Sequence, residues 1–200
     1  MTKFAALVSL SCSALLTVAC GDDGGRPVDA TGSEVSGVMF GRAFTAADMV
    51  LAHAADWKSA PDGAAVVLIS DTEDLCAQIE SGKRVAPGRV LVMQLEQRDD
   101  DGALVPVEAG QFAPSDDATA SSRYGDVFAD AVDSECAFTK LFANQVAIDV
   151  GKVGDDGASV DGTLTAHYTN GEALAGKFSA SASCDAAAVD RYLNASPSCE

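Results

Sequence analysis

Two hundred residues, 48% hydrophobic and 22% charged, can bury a core and are not disordered by composition. Thirteen Lys and Arg against thirty Asp and Glu give a formal net charge of −17, which argues against a nucleic-acid binder and disfavours electrostatic docking on anionic lipid head groups. Two His and no dense Cys/His cluster leave the common zinc architectures short of ligands.

Met1-Thr2-Lys3 forms a short, singly charged start, and Phe4 to Leu16 is an apolar run. A run of that length suits the core of a signal peptide and is too short to cross a bilayer interior of about 30 Å as a helix. No later stretch reaches the roughly eighteen apolar residues that a spanning helix needs. The run closes on Leu16-Thr17-Val18-Ala19-Cys20, where residues 1–20 resemble a bacterial lipoprotein signal. Thr17 stands where that family favours Leu. Thr17-Val18-Ala19 would also serve an ordinary secretory cleavage site. The resemblance implies that the Cys20 thiol takes a diacylglyceryl group, that residues 1–19 are removed, and that the new N-terminus is acylated. Glycine at 21, rather than Asp, implies an outer-membrane destination in a two-membrane cell. Several acyl chains give stable anchoring, each buried CH2 contributing about 0.8 kcal/mol. The membrane would then be a partner through the lipid alone.

Residues 20–36, beginning with the lipidated Cys20, form a flexible tether of Gly, Asp, Pro, Ser and Thr. Its reach is roughly 20–25 Å as a random coil. Residues 37–200 form one globular domain. Val35 to Phe40 reads as a strand. Thr45 with Asp48 opens a first helix along the stripe Ala46, Val50, His53 and Trp57. Pro61-Asp62-Gly63 turns the chain into Ala64 to Ile69, a continuous apolar run that suits a strand covered on both faces. Ser70-Asp71-Thr72-Glu73 is a capping box for a second helix, which ends at Gly82.

From Pro87 onward the pattern is antiparallel β. Val90 to Gln97 and Leu104 to Glu108 flank an acidic turn at Asp99 to Gly102. Gly110 to Ser122 reads as a loop and Tyr124 to Val132 as a strand. Val146, Ile148 and Val150 alternate toward a turn at Gly154 to Gly157, followed by Val160 to Thr169. Asn170-Gly171 is the strongest hairpin signal, and the return strand places Leu174, Gly176, Phe178 and Ala180 on one face. Asp185 to Leu193 closes as a short helix. The expectation is an α+β domain in which two N-terminal helices pack on a mainly antiparallel sheet or sandwich, with a short C-terminal helix. In outline this is similar to small exported lipoproteins of unassigned role.

Cys12 leaves with the signal and Cys20 takes lipid, so Cys76, Cys136, Cys184 and Cys199 remain. An even number in an exported chain reads as two disulfides, with three possible connectivities. The favoured one is Cys76–Cys136 with Cys184–Cys199. No Cys-x-x-Cys pattern offers thiol-redox chemistry.

Catalytic patterns are incomplete, and no cofactor is expected. Gly171 to Lys177 has the spacing of a phosphate-binding loop, but Phe178 stands where Ser or Thr must ligate Mg²⁺. Ser159 lies in Gly157-Ala158-Ser159-Val160-Asp161, which lacks the final glycine of a nucleophile elbow. His53 and His167 are the candidate neutral-pH bases, His53 on an apolar stripe and His167 facing solvent beside Thr163 and Thr165. Asp99, Asp100 and Asp101 with Glu108, or Asp155, Asp156 and Asp161, could supply oxygen ligands to Ca²⁺, although neither set follows the twelve-residue calcium-loop pattern. Trp57, Tyr124, Tyr168 and Tyr192 are candidate partner anchors. The expected function is a non-catalytic binding or structural role in a lipid-anchored cell-envelope protein. A calcium-dependent binding module is the alternative, and an envelope hydrolase a more distant one.

Overall fold

The apolar run after Gly63 fixes the architecture, because a strand with no polar face must be covered twice. The computed structural model of the protein describes residues 34–53, 64–114, 122–182, 184–194 and 198–199. In it β1 (Ser36–Met39) and β2 (Arg42–Thr45) form a hairpin, followed by β3 (Asp48–His53) and β4 (Ala65–Ser70). Helix α1 (Leu75–Ser81) and the short β5 (Lys83–Arg84) lead into β6 (Gly88–Arg98). Two short strands, β7 (Leu104–Val105) and β8 (Gly110–Phe112), precede β9 (Arg123–Val132) and the long β10 (Phe138–Val153). The chain ends through β11 (Ser159–Tyr168), β12 (Ala173–Ala182), α2 (Ala186–Asn194) and β13 (Ser198–Cys199).

Strands β3, β4, β6, β9, β10, β11 and β12 pair in that order, and β12 returns to β3, closing a seven-stranded barrel. Six seams are antiparallel. The closing seam is parallel and short, with Ser181 opposite Val50 and Ala182 opposite Leu51. Further along the same edge β12 carries β1, with Ser36 opposite Ala175. Two glycines permit this crossing. A Cβ on Gly176 (φ +150°) would lie 2.2 Å from the Glu34 carbonyl oxygen, and one on Gly37 (φ +150°) 2.1 Å from that of Ala173.

The barrel interior is filled by side chains, among them Leu51, Val67, Ile69, Met93, Leu95, Leu164 and Phe178, all at most 2% exposed. Residues of opposite parity on β3, β4 and β6 point outward. There Val50, Val66, Leu68 and Val92 pack with Leu75 and Ile79 of α1 and with Val189 and Tyr192 of α2. All six residues of β4 are therefore buried, as the apolar run implies.

The α+β expectation is thus corrected: the described chain is mostly β, a closed barrel with two short helices. The first expected helix is β3, whose residues pair one for one with β4 from Asp48 opposite Ser70 to His53 opposite Ala65. A strand buried on both faces loses period-two alternation, so Met49, Val50, Leu51 and Ala52 match a helical stripe equally well. Asp48 does cap a helix, but not its own. Its Oδ2 accepts the Leu75 N–H at the start of α1 (2.8 Å), and its Oδ1 accepts the Met49 N–H. Helix α1 ends at Gly82 (φ +68°), yet it starts later than the capping box suggests. Ser70 is instead the last residue of β4, its hydroxyl within 2.9 Å of that of Thr72.

The cysteines pair as Cys76–Cys184 and Cys136–Cys199, correcting the favoured connectivity. The reason is the helix layer. It places Cys76 of α1 beside the entry to α2, with Cα atoms 5.4 Å apart, while β13 runs parallel to β5 and carries Cys199 to Cys136. The bridges close separations of 108 and 63 residues. In the chain-entropy model each such loop contributes about 4 kcal/mol.

One side chain fastens the β1–β2 hairpin across the end of the barrel. Arg89 of β6 pairs with Asp71 (2.7 Å) and donates to the carbonyl oxygens of Met39, Arg42 and Ala43 (3.1, 3.0 and 2.7 Å). Its guanidinium also lies over the Phe44 ring at 5.6 Å. Replacing it leaves Asp71 its hydrogen bond from the backbone N–H of residue 89 (2.8 Å) but removes the ion pair and takes the donor from three carbonyls. Arg89→Met is expected to lower the unfolding free energy by about 3 kcal/mol, and Arg89→Lys to recover less than half, since an ammonium cannot reproduce the fork. Urea midpoints at unchanged m-value measure this. Peptide mapping under non-reducing conditions should recover the Cys76–Cys184 and Cys136–Cys199 fragments.

Candidate functional site: an aromatic edge of the barrel

Strand β10 is sixteen residues long and outruns its neighbours. Its first five residues, Phe138 to Phe142, pair on one side with β9, Phe138 opposite Val132 and Phe142 opposite Phe128. On the other side β11 begins to pair only at Ala143, opposite Tyr168. Among the described residues, nothing pairs with that second edge of Phe138 to Phe142. The Asp133 N–H donates to the Ala137 carbonyl at the start of the β9 ladder. Antiparallel alternation then turns the backbone groups of Phe138, Lys140 and Phe142 toward the open edge.

The same three residues share the outer face. Phe142 is 64% exposed and Phe138 40%, whereas the other described aromatics are buried or half-buried. Their rings do not stand alone. Phe142 packs against Phe128 with centroids 5.8 Å apart, and the Lys140 ammonium sits 4.3 Å from the Phe128 centroid. Behind Phe138 the Arg84 guanidinium lies between the Phe138 and Tyr192 rings, at 5.0 and 4.5 Å, and donates to the Tyr192 carbonyl (3.0 Å). Asp130 lies beneath. Its Oδ2 is 3.4 Å from Arg84, and its Oδ1 is 3.7 Å from the Lys140 ammonium but accepts no hydrogen bond among the described residues. Two cations thus share one carboxylate under a cluster of rings.

A second concavity lies on the outer face of β11 and β12. This groove of about 700 Å³ is lined by Glu34, Asp48, Lys152, Asp161, Thr163 and Lys177 among others. Its charges are of both signs, and the Asp48 carboxylate is already engaged by backbone N–H groups. No convergent set of polar groups marks it as an active site.

The sequence candidates are scattered by the fold. Cys20 and Trp57 lie outside the described residues, as do the tether's residues up to 33. His167 is half-buried on the outer side of β11, opposite Gln145 and Ala173. His53 ends β3, on a different part of the barrel. Gly171 to Lys177 is a hairpin turn running into β12, and Ser159 opens β11, so neither meets the helix its motif requires. The acidic turns serve as turns. Asp99 Oδ1 accepts the N–H groups of Asp101 and Ala103, and Glu108 pairs with Arg123 at 3.5 Å. Asp155 to Gly157 form a single 3-10 turn. Among the described residues no three His, Cys, Asp or Glu side chains converge to hold a metal ion.

Tyr168 and Tyr192, expected as anchors, are 3% and 2% exposed and belong to the cores. Among the described residues the Tyr168 hydroxyl has no hydrogen-bond partner, and burial, with a contribution from Glu172, pushes its pKa up. The sequence reading missed Phe138, Lys140 and Phe142. Their signal was present as period-two spacing just after Cys136. Comparison with protein-family models, with curated proteins and with solved structures gives no match to this chain.

Burial raises the Asp130 pKa above its ordinary value of 3.8, with Lys140 and Arg84 pulling the other way. A carboxyl raised in the folded state contributes stability below its unfolded pKa and loses it as pH rises through the folded value. Asn mimics the protonated form. Wild type and Asp130→Asn should therefore be equally stable near pH 3, with the variant ahead at pH 7 in urea denaturation. A wild-type advantage at pH 7 would show that the two cations outweigh burial.

Proposed function

We propose that this chain is a lipid-anchored cell-envelope protein at the outer membrane, tethered through Cys20, whose barrel has a non-catalytic binding role. The observation that carries the binding role is the exposed aromatic edge, with Phe142 at 64% exposure beside Phe138 and Lys140. A largely exposed ring on an unpaired strand edge favours contact with another molecule over structural filling. Two disulfides joining all four cysteines after Cys20 suit an oxidising compartment, which supports export. Among the described residues no helix is long and apolar enough to cross a membrane, so the lipid supplies the attachment in this reading.

Growth with labelled palmitate should label the wild-type protein, and Cys20→Ser should lose the label and leave the membrane fraction. Labelling that persists in Cys20→Ser removes the anchor from this reading. For the binding role, a photo-crosslinking residue at Phe142 should give discrete adducts in intact cells, whereas the same residue at Lys83 should not.

A further inference from the structure

The open edge of β10 carries more information than exposure alone, and it deepens the binding role on which it rests. A strand edge with free N–H and C=O groups is a template for one more strand, and natural sheets usually blunt such edges with a bulge, a proline or a cover. Along its second edge, among the described residues, Phe138 to Phe142 has no proline and no cover; its one charged residue is Lys140, and the register shift lies beyond it, between Ala143 and Gln145. The residues whose backbone groups face that edge are the same three whose side chains form the exposed patch.

We propose that this edge is a strand-addition site for an extended segment of a partner protein, with a carboxylate opposite Lys140 between apolar residues that meet Phe138 and Phe142. Backbone hydrogen bonds give affinity in such pairing, and alternate side chains give selection. The ring pair flanking Lys140 favours apolar neighbours, since aromatic and β-branched cross-strand pairs stabilise by a few tenths to 1 kcal/mol each. Charge selects the central residue. Lys140 and Arg84 share the single carboxylate of Asp130, so the cluster holds one positive charge in surplus. The Lys140 side chain is 33% exposed, within reach of an incoming acid. Two copies of a chain at −17 repel each other, which disfavours self-pairing as the occupant. The same overall charge slows an acidic partner only at long range. At physiological salt the screening length is about 8 Å, so the local cluster governs contact.

The test uses the oxidised mature chain and a fluorescein-labelled nine-residue peptide alternating Val and Thr around a central Glu. Fluorescence anisotropy should show saturable binding. A central Lys should weaken binding at least tenfold, and N-methylation of alternate backbone nitrogens should abolish it. Lys140→Glu should invert the preference between the two peptides, a readout that loss of fold cannot produce. Phe142→Ser should weaken the Glu peptide at least tenfold, and Lys177→Ala in the groove should leave it unchanged. Equal binding of the N-methylated peptide, or no saturation at millimolar peptide, overturns the proposal. So does a Phe142-dependent dimer in sedimentation, which makes a second copy the occupant, or Phe142-dependent co-sedimentation with phosphatidylcholine vesicles, which makes it a lipid surface. Failure here leaves palmitate labelling at Cys20 and crosslinking from Phe142 unaffected, so the broader reading stands or falls separately.

Discussion

Closure of a sheet removes its edges, and in this protein closure depends on one short seam. Among the described residues strand β12 meets β3 at Ser181–Val50 and Ala182–Leu51, and further along the same edge it pairs with β1 at Ala175–Ser36 and Leu174–Gly37. The arrangement works because Gly37 and Gly176 let two backbones pass where any Cβ would collide with a carbonyl. Once the seam forms, the inward residues of all seven strands share one filled interior, and the outward residues of β3, β4 and β6 become a second apolar face. That face requires the helix layer, and the helix layer brings Cys76 to Cys184. The barrel, the helices and the bridges are successive consequences of closing on β3.

The aromatic edge arises from the same geometry. The β10–β11 ladder shifts register between Ala143 and Gln145 and again between Val150 and Lys152, as a strand that wraps a small barrel must. Its first five residues extend past the end of β11 and keep only β9 as a neighbour. The Arg84–Asp130–Lys140 group underneath holds this extension in place by packing rings against cations. A rigid edge binds with less ordering cost than a loop of the same composition.

Much of the strand content was legible in the residues, because antiparallel hairpins announce themselves. Asp99 to Gly102 and Asn170-Gly171 mark turns through positive φ and side-chain capping, and both turns are present. Gly82 likewise marks the end of α1. What could not be read was tertiary. Strand β3 carries apolar residues on consecutive positions because both its faces are covered, and the outer cover is shared by α1, more than twenty residues later, and α2, more than a hundred. Asp48 resembles a local cap because its true partner, the Leu75 N–H, is 27 positions away. The cysteine pairing followed from a β5–β13 strand pair only two residues long, below any periodicity signal. The Phe138-x-Lys140-x-Phe142 alternation was visible, but exposure depends on where β11 stops, which no local pattern states.

The parallel seam also constrains when the protein can mature. Its two strands lie at opposite ends of the described chain, and the bridge nearest it spans 108 residues. During synthesis β3 and β4 emerge well before β12; α1 and β6 follow them at once, but the closing seam waits for β12 and the helix layer is complete only with α2. Long-range pairing of this kind is slow compared with hairpin formation. Such a chain completes its body only once β12 and α2 have been made, and until then its large negative charge opposes self-association of the open sheet.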